Sequence, residues 1–444
     1  MLTLRKILDD VLLVGGVQYY LLNRCWMLFS TPVTMWLVLE FLDPVQQGYY
    51  YTFLGILAYQ ALAEFGFNAG LIHFLAIEWS NLMLLDGRVT GPSTSLKNLS
   101  TLLKIAINWA IFSSSLAGVI FYLIGFFFFS QKEGGSQIWF YPWLFACLAI
   151  IFGLSFQVLK SVAEGVDSVH QSQQASLFGA VFSAILVWMG LLYGLGLYVI
   201  PLAIISNACV GFLYLAYAIK PILKCINYNS KECREINWAA DFFPHQAKLG
   251  LSLIFGLAMF QSFIPIIFKF QGAIQVGQVG ILLQAYVLIN SISMVWVSNA
   301  GPNFGRCWAL GDCDGVIKIV HEVLEKSLFT ATLFSGLAVC FVYVIKMFWP
   351  EIGGRIGSIS ALLLLCMTVV VMQFSNVYTA AIRYRKKESF LLVAATGAVL
   401  VVVSNLMLVK YGTEAVFLGF FCIMAFLVNP WIYWIYKKQM SECL

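Results

Sequence analysis

Charge is scarce in this chain. Lys, Arg, Asp and Glu make up 11% of its 444 residues, against 61% hydrophobic residues and a mean hydropathy of +0.86. A soluble domain carries roughly a quarter charged residues, so whatever is buried here is helix against helix in lipid. Period-2 alternation of apolar and polar residues is also missing, which excludes a membrane β-barrel. No Cys-x-x-Cys pair or Cys/His cluster indicates a metal, and no Gly-x-x-x-x-Gly-Lys loop supports ATP hydrolysis. None of the eleven cysteines falls in an expected external loop, so disulfides are not expected.

Long apolar runs are what the chain has. Bounded by charge, Gly, Pro or Asn, twelve of them are spanning-helix candidates. The first six run approximately Val11–Leu39, Tyr49–Ala76, Leu102–Phe129, Trp139–Leu159, Ala175–Tyr193 and Leu197–Ile219. The second six run Leu249–Phe268, Val279–Ala300, Leu328–Trp349, Ile356–Ala381, Phe390–Val409 and Val416–Tyr436. The fold class is therefore an all-α polytopic membrane protein of about 12 transmembrane helices. The first run is too long for a signal-peptide core and no Ala-x-Ala cleavage site follows it, so it is read as a retained helix.

Orientation follows from the basic residues. With the N-terminus in the cytoplasm, Lys and Arg collect on that side, the exceptions being Lys132, Lys269, Lys346, Arg355 and Lys410 outside and Arg24 within the bilayer. Both termini are then cytoplasmic, in a multi-pass membrane protein. The net charge of +5 is disposed of by anionic headgroups, and no nucleic-acid partner is needed. The external loops come out short, no more than about a dozen residues, leaving no room for the external domain expected of a membrane polymerase or ligase acting on lipid-linked sugars. The chain is read as not an enzyme.

An internal repeat divides the sequence. Phe41–Gly48 (FLDPVQQG) laid over Phe270–Gly277 (FQGAIQVG) matches Phe41 with Phe270, Gln46 with Gln275 and Gly48 with Gly277, and Asn68-Ala69-Gly70 answers Asn299-Ala300-Gly301. Both copies fall at the first external turn and second helix of a six-helix half. The expected organisation is a six-helix lobe over 1–219, a cytoplasmic linker over 220–248 and a second six-helix lobe over 249–444, with pseudo-two-fold symmetry around a central cavity.

Within the apolar runs a few polar residues stand out. Arg24 and Glu64 lie near the middle of the first and second runs, where a charge costs roughly 2.5–3.5 kcal/mol on insertion scales. Gln60, Glu64 and Asn68 follow an i, i+4, i+8 stripe. Weaker stripes are Gln261 with Pro265 and Lys269, Gln284 with Ser291 and Ser298, and Gln373 with Asn376 and Arg383. Amides and hydroxyls can exchange hydrogen bonds with a polar ligand, and the Arg fork suits an anionic group. Arg24, Gln60, Asn68, Gln261, Lys269, Gln284, Gln373 and Asn376 are the candidate substrate contacts and Glu64 the candidate ion-coupling group. The rival reading makes Arg24 and Glu64 a static pair holding two helices, and the stripes ordinary interhelical hydrogen bonds.

The stretch Glu40-Phe-Leu-Asp-Pro44-Val-Gln-Gln-Gly48-Tyr-Tyr-Tyr-Thr52, followed by Gln60, Glu64-Phe-Gly66 and the His73–Trp79 exit, resembles the opening of Wzx-type O-antigen flippases. These belong to the multidrug/oligosaccharidyl-lipid/polysaccharide exporter superfamily. The resemblance implies a flippase of lipopolysaccharide biosynthesis that moves an undecaprenyl-diphosphate-linked oligosaccharide, such as an O-antigen repeat unit, across the inner membrane. It implies alternating access driven by a proton or sodium gradient in place of any cofactor. Membrane lipids and the polysaccharide polymerase machinery are the implied partners. A drug or metabolite antiporter of the same superfamily is the alternative.

Overall fold

The computed structural model describes residues 15–64, 66–85, 87–130, 136–227, 254–383 and 390–442. Most of the expected linker, and the basic cluster at Arg385–Lys387, lie outside them.

The chain is helical nearly throughout. In the first half α1 is Gly15–Phe41, α2 Pro44–Leu57, α3 Phe67–Trp79, α4 Ser93–Phe129, α5 Ser136–Gly165, α6 Val169–Leu192 and α7 Val199–Ala218. In the second half α8 is Phe263–Gln271, α9 Ala273–Leu310, α10 Cys313–Phe348, α11 Ile359–Arg383, α12 Leu391–Leu408, α13 Thr413–Ile423 and α14 Asn429–Ser441, with a π-helical turn at Met424–Val428 joining the last two. Among the described residues ten helices are long and apolar enough to cross a membrane by length and composition. The exception to the all-α pattern among the described residues is a hairpin, β1 Met83–Leu85 against β2 Arg88–Thr90.

Several helices overrun the apolar segments that announce them. Helix α9 has 38 residues, about 57 Å at 1.5 Å per residue, against a hydrocarbon layer of about 30 Å. Hydropathy marks only the part in lipid, whereas polar residues continue the helix beyond it. So α5 runs on past Leu159 to Gly165, which puts Lys160 and Glu164 inside a helix.

Helix α4 shows what the outer solvent is. Its buried face carries Leu96, Leu99, Leu103, Ala106, Ala110, Ala117 and Phe121 at helical spacing. Its exposed face carries Ile107, Ile111, Phe112, Val119 and Ile120. Both faces are apolar, as lipid allows and water does not.

The second spanning segment is not one helix. After α2 come a 3-10 turn at Ala58–Gln60, a short turn of α-helix at Ala61–Glu64, and Gly66 in the left-handed region at φ 75° before α3 begins. The chain forms two compact units, one Met1–Leu42 with Ile56–Leu253, the other Asp43–Gly55 with Ile254–Leu444.

In the first unit α3 packs on α4 and α5 around Phe67, Leu71, Leu75, Leu99, Leu103, Val162 and Ala163. Helix α1 packs instead on α6. In the second unit α2 starts at an Asp43 carboxylate that accepts from Val45 N and Gln46 N, both at 2.8 Å. It crosses α9 at close range: Gln47 Nε2 donates to Gly277 O at 2.8 Å, and Gly48 lies against the Ala273 backbone. Small residues at a crossing let backbones approach and gain packing.

Eight described cysteines are free thiols. Cys313, at the first turn of α10, is disulfide-bonded, contrary to the sequence expectation. Spacing along the chain cannot reveal a pairing made by tertiary folding.

Candidate functional site

Arg24 is the one charged residue between Gly15 and Pro32 of α1. Its Nη2 donates to Tyr20 Oη at 3.0 Å, one turn earlier, and its guanidinium stands 5.1 Å from the Tyr20 ring centre. The helix is held against α6 by aromatic contacts: Tyr19 meets His170 edge-on at 4.9 Å, Trp26 lies 5.9 Å from Trp188, and Trp188 Nε1 donates to Thr34 Oγ1 at 2.8 Å. A guanidinium has five N–H donors. Tyr20 accepts from one of them, and no acidic side chain faces the rest among the described residues.

Glu64 does not pair with Arg24. It hydrogen-bonds the Asn68 side chain, and the cation acting on it is Lys160 of α5. Lys160 in turn interacts with Glu164, one helical turn on, and its ammonium lies 5.9 Å from the Phe156 ring. The Glu164 carboxylate accepts from Ser172 Oγ at 2.8 Å. Packing explains the exchange of partners. Because α1 lies on α6 while α3 lies on α5, the cation of α5 reaches Glu64. Gly165 permits this, since a Cβ there would stand 3.2 Å from the Ile72 backbone.

The result is a chain of polar groups, Asn68, Glu64, Lys160, Glu164 and Ser172, running through apolar packing. Asn68 Oδ1 is buried without a hydrogen-bond partner. With both carboxylates ionised and Lys160 charged, the set carries one excess negative charge. It suits taking up one monovalent cation or proton. Gln60 is half-buried at the end of the 3-10 turn, ahead of the short α-turn that carries Glu64, and Gly66 interrupts the helix between Glu64 and Asn68, so the three do not share one continuous helical stripe.

In the second unit Gln373 and Asn376 meet. Both amides donate to Asn290 Oδ1 of α9 at 3.3 Å, Gln373 also donates to Val369 O at 2.9 Å, and Gln373 Oε1 is buried with no partner. Beside them Asn429 Nδ2 donates to Val371 O at 3.0 Å and Ser375 Oγ donates to Asn429 Oδ1, while the Tyr378 and Tyr436 rings stack at 4.7 Å. Gln261 and Gln284 are half-buried and join none of these bonds, and Lys269 is exposed near the end of α8.

Four participants escape a reading by hydropathy stripes: Lys160, Glu164, Asn290 and Asn429. Lys160 and Glu164 stand at i, i+4 and would have shown as a pair had the helix been carried to Gly165. Asn290 interrupts the apolar run of α9, and Asn429-Pro430 marks the π-helical turn, a feature frequent at functional sites.

No family model matches the sequence, and no curated protein is similar to it. Solved structures are similar. An inward-facing multidrug-resistance transporter of the MATE family, in the MOP superfamily, superposes with a TM-score of 0.66 at 14% identity, over 94% of this chain and 95% of that one. The lipid II flippase MurJ, in an inward closed conformation, gives 0.64 at 13% identity over 96% and 89%. A MOP superfamily transporter from Pyrococcus furiosus gives 0.58 at 15% over 97% and 96%. At identities this low the likeness establishes the fold alone, and the chain is folded as transporters of the MOP superfamily are folded.

Proposed function

We propose that this protein is a flippase that carries undecaprenyl-diphosphate-linked oligosaccharide, an O-antigen or related repeat unit, across the bacterial inner membrane. Both termini are cytoplasmic in this reading. The observation that carries it is Arg24, a guanidinium on an apolar helix whose one hydrogen-bond partner among the described residues is a neutral phenol. A fork of donors with no carboxylate to satisfy it is suited to a diphosphate. Glu64, held by Lys160, is then free of the substrate group and serves ion coupling: loading the Glu64–Lys160–Glu164 set with a proton or sodium ion changes the charge beside the break at Gly66. The likeness to a lipid II flippase supports a lipid-linked substrate.

A drug or metabolite antiporter is the second reading. It is favoured by the Tyr378, Tyr433 and Tyr436 rings in the second unit, whose faces suit an organic cation, and by the likeness to a multidrug transporter. In the Pyrococcus furiosus relative of the fold, a reversed polarity of the binding pocket has been taken to suggest a different function.

Deletion of the gene tests the proposal. Surface polysaccharide should be lost and lipid-linked repeat units should accumulate on the cytoplasmic leaflet. Wild type should restore the polysaccharide, Arg24→Lys should restore it in part, and Arg24→Ala should not at equal membrane level. Full surface polysaccharide with Arg24→Ala, or a deletion that changes only drug susceptibility, overturns it. Coupling to the polysaccharide polymerase machinery belongs to the same proposal and should appear as co-purification of the two.

A further inference from the structure

The second unit has a polar cleft of about 470 Å³ at one end of its helices, where the turns before α9, α11 and α13 come together. Gln271, Gln275, Gln278, Ser358, Tyr411 and Glu414 line it. On the orientation proposed above this end faces outside. We infer that the cleft binds a saccharide, giving the flippase reading a sugar-recognition site in the second unit; the inference rests on that reading for its biological meaning.

The chemistry of the lining argues for it. Gln271 Nε2 donates to Val409 O, and Gln278 Nε2 donates to Gly354 O at 2.9 Å. Both amides are therefore fixed through their N–H groups, with the carbonyl oxygens left to accept. Gln275 makes no side-chain bond, so both ends of its amide are available. The Glu414 carboxylate adds two more acceptors. A site rich in acceptors, with a few donors, calls for a ligand rich in hydroxyls, because each hydroxyl donates once and accepts as well. Tyr411, 81% exposed at the rim, presents an aromatic face against which the C–H side of a sugar ring can lie.

Other ligands fit less well. A phosphate or other anion would meet Glu414 and no Lys or Arg in the lining. A lipophilic drug needs a mainly apolar wall, and Val279 is the one aliphatic side chain there. A cleft of amides and hydroxyls, open to solvent at Tyr411, favours neutral polyols, with weak affinity because each new bond replaces one to water.

The test is saturation-transfer NMR on the purified full chain in lipid nanodiscs, with glucose, galactose, N-acetylglucosamine and rhamnose as separate probes at millimolar concentration. At least one should receive magnetisation. Gln275→Ala and Tyr411→Ala, each removing an exposed side chain, should weaken its binding about tenfold, the worth of one ordinary bond. Tyr411→Trp should keep binding, since the ring face is retained. Absence of transfer to all four sugars overturns the inference, and so does transfer undiminished in both alanine variants. Binding of tetraphenylphosphonium that sugars do not displace and that Glu414→Gln abolishes overturns it in favour of a cation site. Surface polysaccharide in the deletion strain scores the flippase reading separately. Polysaccharide unaffected by deletion, with sugar binding intact, fails that reading and upholds the cleft; polysaccharide lost, with no sugar bound, fails the cleft alone.

Discussion

Gly48 and Gly277, matched in the two copies of the sequence repeat, face each other across the α2–α9 crossing: a Cβ on Gly277 would stand 3.2 Å from Gly48 N. The repeat therefore leaves a physical trace, since both copies keep a glycine where the two helices need one. The crossing is tightest at Gly48, where a Cβ would lie 2.0 Å from Ala273 O. Backbone cannot swing aside as a side-chain end can. Gly48→Ala should cost about 1–3 kcal/mol or more, the ordinary range for overpacking, seen as a lower melting temperature in detergent. Gly336→Ala, where a Cβ meets nothing within 4 Å, is the control and should leave it unchanged or raised. Equal melting temperatures for the two variants would contradict the close crossing.

Gly66 separates Glu64 from α3 with φ 75°, a conformation that costs other residues about 1–2 kcal/mol. Asn tolerates it better than Ala. Stability should fall in the order Gly66, Gly66→Asn, Gly66→Ala. Transport should fall in the same order, because straightening the break carries Glu64 away from Lys160. An alanine variant as stable and active as wild type would mean that the break is dispensable.

Cys225 sits on the short 3-10 turn Lys224–Asn227 after α7, outside the spanning helices, and burial pushes its thiol up from the usual value of 9.0. The thiolate is the reacting form. A raised pKa leaves less of it at any given pH below the pKa, so alkylation by a maleimide should be slower at pH 7 than for a free thiol. The rate should still be climbing above pH 9, where a free thiol levels off. On a background with the other cysteines removed, labelling should occur in inverted vesicles and not in intact cells. Labelling from outside the cell would reverse the proposed orientation.

The existence of the helices is legible in the sequence because a lipid solvent makes every face of a span apolar, and such runs have few other uses. Their ends are less so. Leu159 closes an apolar run, but the backbone continues to Gly165 because Lys160 and Glu164 are satisfied by each other and by Ser172. A lysine just past an apolar run looks like one more basic residue on the cytoplasmic side. The cost of Glu64 in lipid is legible; its partner is not, because Arg24 and Lys160 are both close enough along the chain pattern and only the packing of α1 on α6 decides between them. The amide meeting at Asn290 is illegible for the same reason: it joins α9 to α11, and no spacing within one helix encodes it.

Glu64 and Lys160 should behave as a coupled pair in which Arg24 has no share. Removing one partner of a buried pair leaves an uncompensated charge, which typically costs about 3–5 kcal/mol, whereas removing both is far milder. Lys160→Met alone leaves Glu64 and Glu164 without their cation and should lower the melting temperature, Glu64→Gln alone leaves Lys160 paired with Glu164 and should lower it little, and the double variant should recover part of the Lys160→Met loss. Combining Arg24→Met with Glu64→Gln should show simple additivity, as expected for sites without a shared contact. Transport should separate stability from function. If Glu64 carries the coupling ion, the stable double variant remains unable to drive accumulation against a gradient. If the pair is only a staple, the double variant transports at the wild-type rate, and the coupling role of Glu64 is lost with it.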